Sequence, residues 1–215
     1  MSSHHYVKEG QEPALVIANG AACSYDILTS LMEWCPYIVV LDGAYKRVSA
    51  LQIKPDVVIG DFDSLPNIPN VRNTKFIKIE DQENTDLEKA LDHLLEKGYD
   101  HINVVWATGN RLDHTVNNVA TLAKYVDTRI VLYDDHSRVF VLPNTFSKFY
   151  EKNTALSLIP VHTAEGIKTK NLNYELKGET LAFGSRSGTS NSAASSGIVK
   201  ISYEKGVLLL VESTD

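Results

Sequence analysis

Five short polar clusters in this 215-residue chain carry the residue types that handle phosphates and hard metal ions. The densest is Gly60-Asp61-Phe62-Asp63-Ser64, where two carboxylates two positions apart share one loop. A second runs Asp81-Gln82-Glu83-Asn84-Thr85-Asp86, and a third is Gly109-Asn110-Arg111-Leu112-Asp113-His114. Asn19-Gly20 and Asp42-Gly43 are smaller. Carboxylate oxygens are hard ligands suited to magnesium, which usually binds one or two of them together with substrate phosphates. Brought together without a cation, these carboxylates would oppose one another's ionisation. Taken singly, each cluster has a plainer explanation. Asp61 and Asp63 read as turn residues bonded to their own backbone, and Asp86 reads as a first-turn acid facing the helix dipole. Arg111 and Asp113 read as an ion pair, with Asp113 capping a helix.

What favours chemistry over these explanations is placement. Each cluster follows a segment that reads as a strand: Ala14–Ala18, Ile38–Leu41, Val57–Ile59, Phe76–Ile79 and Ile102–Trp106, with a sixth at Ile130–Tyr133. Most are apolar on both faces, the pattern of parallel strands covered by helices. Between them the spacing predicts helices over Tyr25–Trp34, Ala44–Leu51, Thr85–Lys97 and Asp113–Tyr125. The third opens on a Thr85–Glu88 capping box and stops at Gly98. The fourth is expected to turn Val116, Val119, Ala120 and Ala123 inward. This alternation predicts an α/β domain over residues 1–143, built on an open, mostly parallel Rossmann-like sheet. In such sheets ligands bind beyond the carboxyl ends of the strands, where the polar clusters fall. After Pro143 the helical rhythm disappears, and Ala155–Ile159, Glu179–Phe183, Ile198–Tyr203 and Val207–Val211 read as strands. Residues 144–215 are therefore expected to form a smaller all-β sandwich or barrel. Glu204-Lys-Gly206 reads as a hairpin turn, and the Ser-, Ala- and Gly-rich run from Gly184 to Gly197 as a flexible loop.

Composition narrows the classes. A net charge of -6 with no basic block argues against a nucleic-acid partner, which would need clustered Lys and Arg. No apolar run reaches membrane-spanning length and no signal-peptide pattern opens the chain, so no membrane association is expected. Cys23 and Cys35 lack metal-ligand partners at useful spacing and fit a reduced, cytoplasmic protein. The polar segment Met1–Gln11, with its His4-His5 pair, reads as a frayed terminus. There is no G-x-x-x-x-G-K-[ST], no G-x-G-x-x-G after the first strand, no H-E-x-x-H and no G-x-S-x-G. Any phosphate must be held by carboxylate-bound metal, Arg111 and backbone N–H groups.

The motifs resemble one family. Pro55-Asp-Val-Val-Ile-Gly-Asp-Phe-Asp-Ser64 is similar to the P-D-x-x-x-G-D-F-D-S segment of thiamine pyrophosphokinases. Asp81-Gln82 with Thr85-Asp86-Leu-Glu-Lys-Ala90 resembles their D-Q-x-x-T-D-x-x-K-A/C block, and Gly109–His114 their G-G-R-L-D-H. Asp42-Gly43 resembles the start of D-G-G-A-N, and Ser190-Asn191 the start of S-N-E. Three departures stand out: Ala44-Tyr45-Lys46 within the first of these loops, Asn110 before Arg111, and Ser192 in place of the glutamate.

The resemblance implies transfer of pyrophosphate from ATP to the hydroxyl of thiamine, giving thiamine diphosphate and AMP, with Mg2+ required. It also implies a homodimer with the active site at the subunit interface. Asp61, Asp63 and Asp86 would bind the metal and, with Arg111, form the catalytic group. Asp42, Gln82, Thr85, Arg111 and Asp113 would contact ATP, joined by Asn19 and Ser64 from the strand ends. Ser190 and Asn191 would contact thiamine. Charge on the transferring group would be managed by metal and Arg111, since such transfer is chiefly positioning and electrostatics. Which of the three metal-binding carboxylates accepts the hydroxyl proton stays open. A metal-dependent nucleotide phosphohydrolase and a non-catalytic nucleotide-sensing module are the alternatives that the same acidic edge allows.

Overall fold

The computed structural model describes residues 12–65 and 67–214, so the His4-His5 segment lies outside the described residues. They fall into two compact units. The first runs through Asn118 and regains Leu132–Asp135; the second comprises Val119–Val131 and the chain from His136 onward.

The first unit contains β1 (Ala14–Ile17), α1 (Tyr25–Trp34), β2 (Tyr37–Leu41), a 3-10 turn over Asp42–Ala44 and α2 (Tyr45–Ala50). It continues through β3 (Val57–Gly60), β4 (Lys75–Lys78), α3 (Asp86–Glu96), β5 (His101–Val105) and most of α4 (Leu112–Thr121). The strands pair in the order β4-β3-β2-β1-β5, all parallel. β1 and β3 are buried along their whole length, so one set of side chains packs to each side of the sheet. Leu15, Ile17, Ile38, Val40 and Val58 join Leu28, Val48, Phe62 and Trp106 in one apolar cluster.

Helix α3 begins where its capping box predicts. The Thr85 hydroxyl accepts from the Glu88 N–H, and the Glu88 carboxylate accepts from the Thr85 N–H at 2.8 Å. Leu87, Ala90, Leu91 and Leu94 are buried, and Gly98 ends the helix at φ +86°, a conformation glycine adopts without strain. Helix α4 departs from expectation, because Val116 and Ala120 are exposed. Its only fully buried residue is Thr121, so the inward face expected from periodicity does not form within this chain. Periodicity reports an apolar stripe, not what covers it.

The second unit is built from β7 (Ser137–Val141), β8 (Thr145–Tyr150), β9 (Ala155–Lys170), β10 (Lys177–Ala182), β11 (Gly188–Ser192), β12 (Gly197–Ser202) and β13 (Lys205–Ser213). A further strand, β6 (Arg129–Tyr133), has residues in both units. The pairings within the second unit are all antiparallel. The open parallel Rossmann-like description thus fits only the first five strands: the chain as a whole is mixed and mostly strand. All seven strands connect through the 16-residue β9, which pairs with β10, β11, β12 and β13. Only its first five residues read as a strand, because Pro160, His162 and Gly166 interrupt the pattern. His162 (φ +64°) and Gly166 (φ +68°) take up left-handed turns within it, at irregularities that a pattern of period two cannot anticipate. The run expected to be a flexible loop contains β11, bonded to the start of β9.

This unit buries one carboxylate. Glu212, on β13, accepts from Arg138, from Tyr150 and from Lys148 at 2.8 Å. Burial alone would raise its pKa, but Lys148, Tyr150 and Arg138 together hold it below the ordinary value of 4.5. Burial and the same carboxylate push the Tyr150 phenol well above its usual range. A folded-state pKa below the unfolded one adds stability above the unfolded value, and this is lost as pH falls through the folded value. Glu212→Gln should therefore cost about 2 kcal/mol at pH 7, less than for a fully buried pair because Arg138 and Lys148 are partly solvated. The gap to wild type should close as the solution is acidified below pH 4.5. Urea unfolding at a series of pH values measures both; a gap that widened in acid would contradict the assignment.

Candidate active site

The carboxyl ends of β1, β2, β3 and β5, with the first turns of α3 and α4, surround a cavity of about 560 Å3. Its walls include Asn19, Asp42, Asp61, Asp63, Ser64, Gln82, Thr85, Asp86 and Arg111. The polar strand ends thus converge, as placement beyond a parallel sheet requires.

One interaction sets the acidic loop. Asp42 is buried, and its carboxylate accepts from the Gly43 N–H at 2.5 Å and from the Phe62 N–H at 2.9 Å. Burial, with neighbouring Asp86 and Asp61, raises its pKa, while the two N–H groups oppose the shift. Phe62 sits at φ +64°, a conformation that costs about 1–3 kcal/mol for a residue with a side chain and persists only when its surroundings enforce it. Here the ring is buried against Phe76, and Asp42 holds the N–H. With Phe62 turned inward, Asp61 and Asp63 on either side reach the cavity. The Asp63 N–H bonds Asp61 Oδ1 at 3.0 Å and, with help from Gln82 and Lys89, holds the Asp61 carboxyl below its ordinary pKa.

Asp86 opens α3 and accepts from Lys89 Nζ at 3.1 Å. Lys89 is buried, lines the cavity and was not among the expected ligands, although the sequence places it one helical turn from Asp86. His114 and Asn118, one turn apart on α4, also line the cavity. Asn118 is anchored by donating to the Ala107 carbonyl at 2.8 Å. Arg111 reaches the cavity but is paired in fork geometry with Asp113, which does not line it. That exposed pair lowers the Asp113 pKa and raises that of Arg111. Asp81, also outside the wall, accepts from Glu83 N–H and Asn84 and forms a local turn.

The structure does not gather Asp61, Asp63 and Asp86 into a ready-made metal cage. Among the described residues, no three His, Cys, Asp or Glu side chains are grouped tightly enough to hold an ion. Asp61 and Asp86 each also accept a hydrogen bond from a protein donor. The donor set still suits a hard cation that takes a few carboxylate oxygens and completes its shell with phosphate and water.

The two thiamine candidates lie in the second unit. Asn191 is buried. Its amide donates to the Tyr174 carbonyl at 2.8 Å and accepts from the Tyr174 N–H at 3.0 Å. Tyr174 itself is 73% exposed. Ser190 stands at φ +58°, its N–H donating to the Ser157 hydroxyl.

Known proteins with the same organisation decide the relationship. Residues 28–133 match the model of the thiamin pyrophosphokinase catalytic domain, and residues 145–208 that of the thiamin pyrophosphokinase vitamin B1 binding domain. The Caenorhabditis elegans protein named thiamin pyrophosphokinase 1 is 30% identical over 78% of this chain and 75% of its own.

The chain belongs to the thiamin pyrophosphokinase family.

A Bacillus subtilis thiamine pyrophosphokinase is 31% identical over 76% of this chain and 80% of its own. The crystal structure of a Geobacillus thermodenitrificans thiamin pyrophosphokinase superposes with a TM-score of 0.79 at 27% identity, covering 94% of this chain and 97% of that one. Within this thiamin pyrophosphokinase fold, Gly60 is fixed by space. A Cβ there would lie 2.5 Å from the Asp42 carboxylate carbon. Gly60→Ala should displace Asp42, release the Phe62 N–H and shift Asp61 and Asp63. Turnover should fall about 10²-fold, the scale of a 1 Å misplacement of reacting groups, with the far-UV circular dichroism unchanged. Wild-type turnover in that variant would remove Asp42 from its role.

Proposed function

We propose that ATP is the pyrophosphate donor and magnesium the metal, so that this enzyme of the thiamin pyrophosphokinase family converts thiamine and ATP into thiamine diphosphate and AMP. The observation that carries this reading is the cavity at the ends of parallel strands, lined by Asp61, Asp63 and Asp86 and bordered by Arg111. Residues 1–143 would do the nucleotide chemistry and residues 144–215 would bind thiamine. The resemblance supports a homodimer with the active site at the subunit interface. Both cysteines are free thiols, and no helix among the described residues is long and apolar enough to cross a membrane. A cytoplasmic location fits both.

In the reaction, the thiamine hydroxyl oxygen forms a bond to the β-phosphorus of ATP and gives its proton to one of the carboxylates of Asp61, Asp63 and Asp86, while the bond from that phosphorus to the α,β-bridging oxygen breaks and AMP leaves. Magnesium held by Asp61, Asp63 and Asp86 with phosphate oxygens would supply charge neutralisation. Asp42 holds the acidic loop by its backbone, and Lys89 orients Asp86 through Oδ1. Arg111 would exchange its exposed pairing with Asp113 for the phosphates; surface pairs of this kind cost little to break, about 0–1 kcal/mol. Ser64, Gln82 and Thr85 add polar contacts around the phosphates. In the second unit, Ser190 and the exposed Tyr174, pinned by Asn191, form the surface offered to thiamine.

Purified protein with ATP, magnesium and thiamine should release AMP and thiamine diphosphate in equal amounts. Phosphate release without thiamine would instead identify a phosphohydrolase, and ATP binding without turnover a sensor. Asp63→Asn should lose nearly all AMP production while keeping its melting temperature. Near-normal AMP production by that variant would sink the carboxylate assignment. Chelation of divalent metal should stop turnover, and magnesium should restore it.

A further inference from the structure

Beside the nucleotide cavity, Arg47 on α2 occupies a position that none of the motifs assigns. One guanidinium nitrogen donates to the Gly20 carbonyl at 2.9 Å and another to Asn19 Oδ1 at 3.0 Å. The guanidinium lies over the Trp106 ring, 4.6 Å from its centroid, a cation–π arrangement that fixes its plane. Arg47 does not line the cavity, whereas Asn19 and Gly20 do.

The loops it joins are closely interlocked. The Gly20 N–H donates to the Trp106 carbonyl at 2.5 Å and the Ala21 N–H to the Thr108 carbonyl at 2.7 Å, tying the end of β1 to the end of β5. A Cβ at Gly20 would collide with the backbone of Trp106 and Thr108, so this approach requires glycine. A Cβ at Gly43 would collide with Asn19 Nδ2, so the Asn19 amide lies across the start of the β2 loop. Arginine has only donors, and the atom facing it must therefore be the amide oxygen. The nitrogen of that amide, with its two N–H donors, then lies on the Gly43 side. With Oδ1 held by Arg47, the side-chain atom that Asn19 has left for a ligand is Nδ2, a donor and not an acceptor.

We propose that Arg47 is a positioning residue for the nucleotide, locking the Asn19 amide so that its Nδ2 donors meet an acceptor oxygen or ring nitrogen of ATP. This rests on the cavity being the nucleotide site, as proposed above. Lysine is not equivalent, since its compact ammonium has no planar fork to hold Gly20 and Asn19 in fixed directions while stacking on an indole.

The test is a double-mutant cycle on the full chain. Affinity for a non-hydrolysable ATP analogue with magnesium is measured by calorimetry for wild type, Arg47→Lys, Asn19→Ala and the double variant. Arg47→Lys and Asn19→Ala should each weaken binding about tenfold, the scale of one hydrogen bond. The double variant should be no weaker than Asn19→Ala, because Arg47 acts through Asn19. The KM for thiamine should stay within about twofold of wild type, which a general loss of structure would not allow. Asn19→Asp gives a second reading should Arg47→Lys fail to fold. It keeps an acceptor for Arg47 and loses the donors, so binding should again fall about tenfold with the melting temperature preserved.

Additive losses, unchanged analogue affinity in Arg47→Lys or Asn19→Asp, or parallel losses toward ATP and thiamine would each overturn the proposal. Wild-type protein that fails to bind the analogue would overturn the nucleotide reading and this inference with it. Wild-type binding that Arg47→Lys leaves intact would overturn the inference alone.

Discussion

The Asp42 carboxylate is buried at the end of β2, and it accepts backbone N–H groups from its own loop and from the next one. A charged group in such a place is costly unless it is hydrogen-bonded, and these two bonds meet that need. In meeting it they hold Phe62 at φ +64°, its ring toward the apolar core and the flanking Asp61 and Asp63 toward the cavity. Gly60 contributes by having no side chain where the Asp42 carboxylate sits. The acidic loop is thus a consequence of one buried aspartate and one missing Cβ, more than of the two aspartates it displays.

The second constraint is charge. Asp42, Asp61, Asp63 and Asp86 all line one cavity, and the pKa of Asp42 is raised first by its burial and then by repulsion from Asp86 and Asp61. The protein offsets part of it internally. Lys89 is buried beside Asp86, backbone N–H groups bind Asp61 and Asp42, and Arg111 stands at the rim. A hard divalent cation carried in with phosphates would complete the compensation. A thiazolium ring, which is permanently cationic, is also attracted by an acidic edge.

Buried polar groups organise the second unit as well. Glu212 collects Arg138, Lys148 and Tyr150 from β7 and β8 onto β13, and Asn191 binds both backbone groups of Tyr174. Each satisfied group specifies a register or a turn that apolar packing alone would leave loosely defined.

The sequence by itself determined the local elements and the roster of the site. The apolar strands β1, β2, β3 and β5, the capped helix α3 and the polar residues after each strand were legible, because period, capping and turn chemistry are local signals. The family was legible in the GDFDS, TDLEK and RLDH runs. What only the tertiary structure decided was how each side chain is employed. Asp42 and Asn191, expected as ligand contacts, also accept from backbone N–H groups, and Lys89 and Arg47, given no role from the sequence, sit against the site. The long β9, the strand β11 within a serine-rich run and the exposed face of α4 were hidden for the same reason. Hydrogen-bond partners and burial are set by residues distant in the chain, and no local pattern in the sequence encodes them.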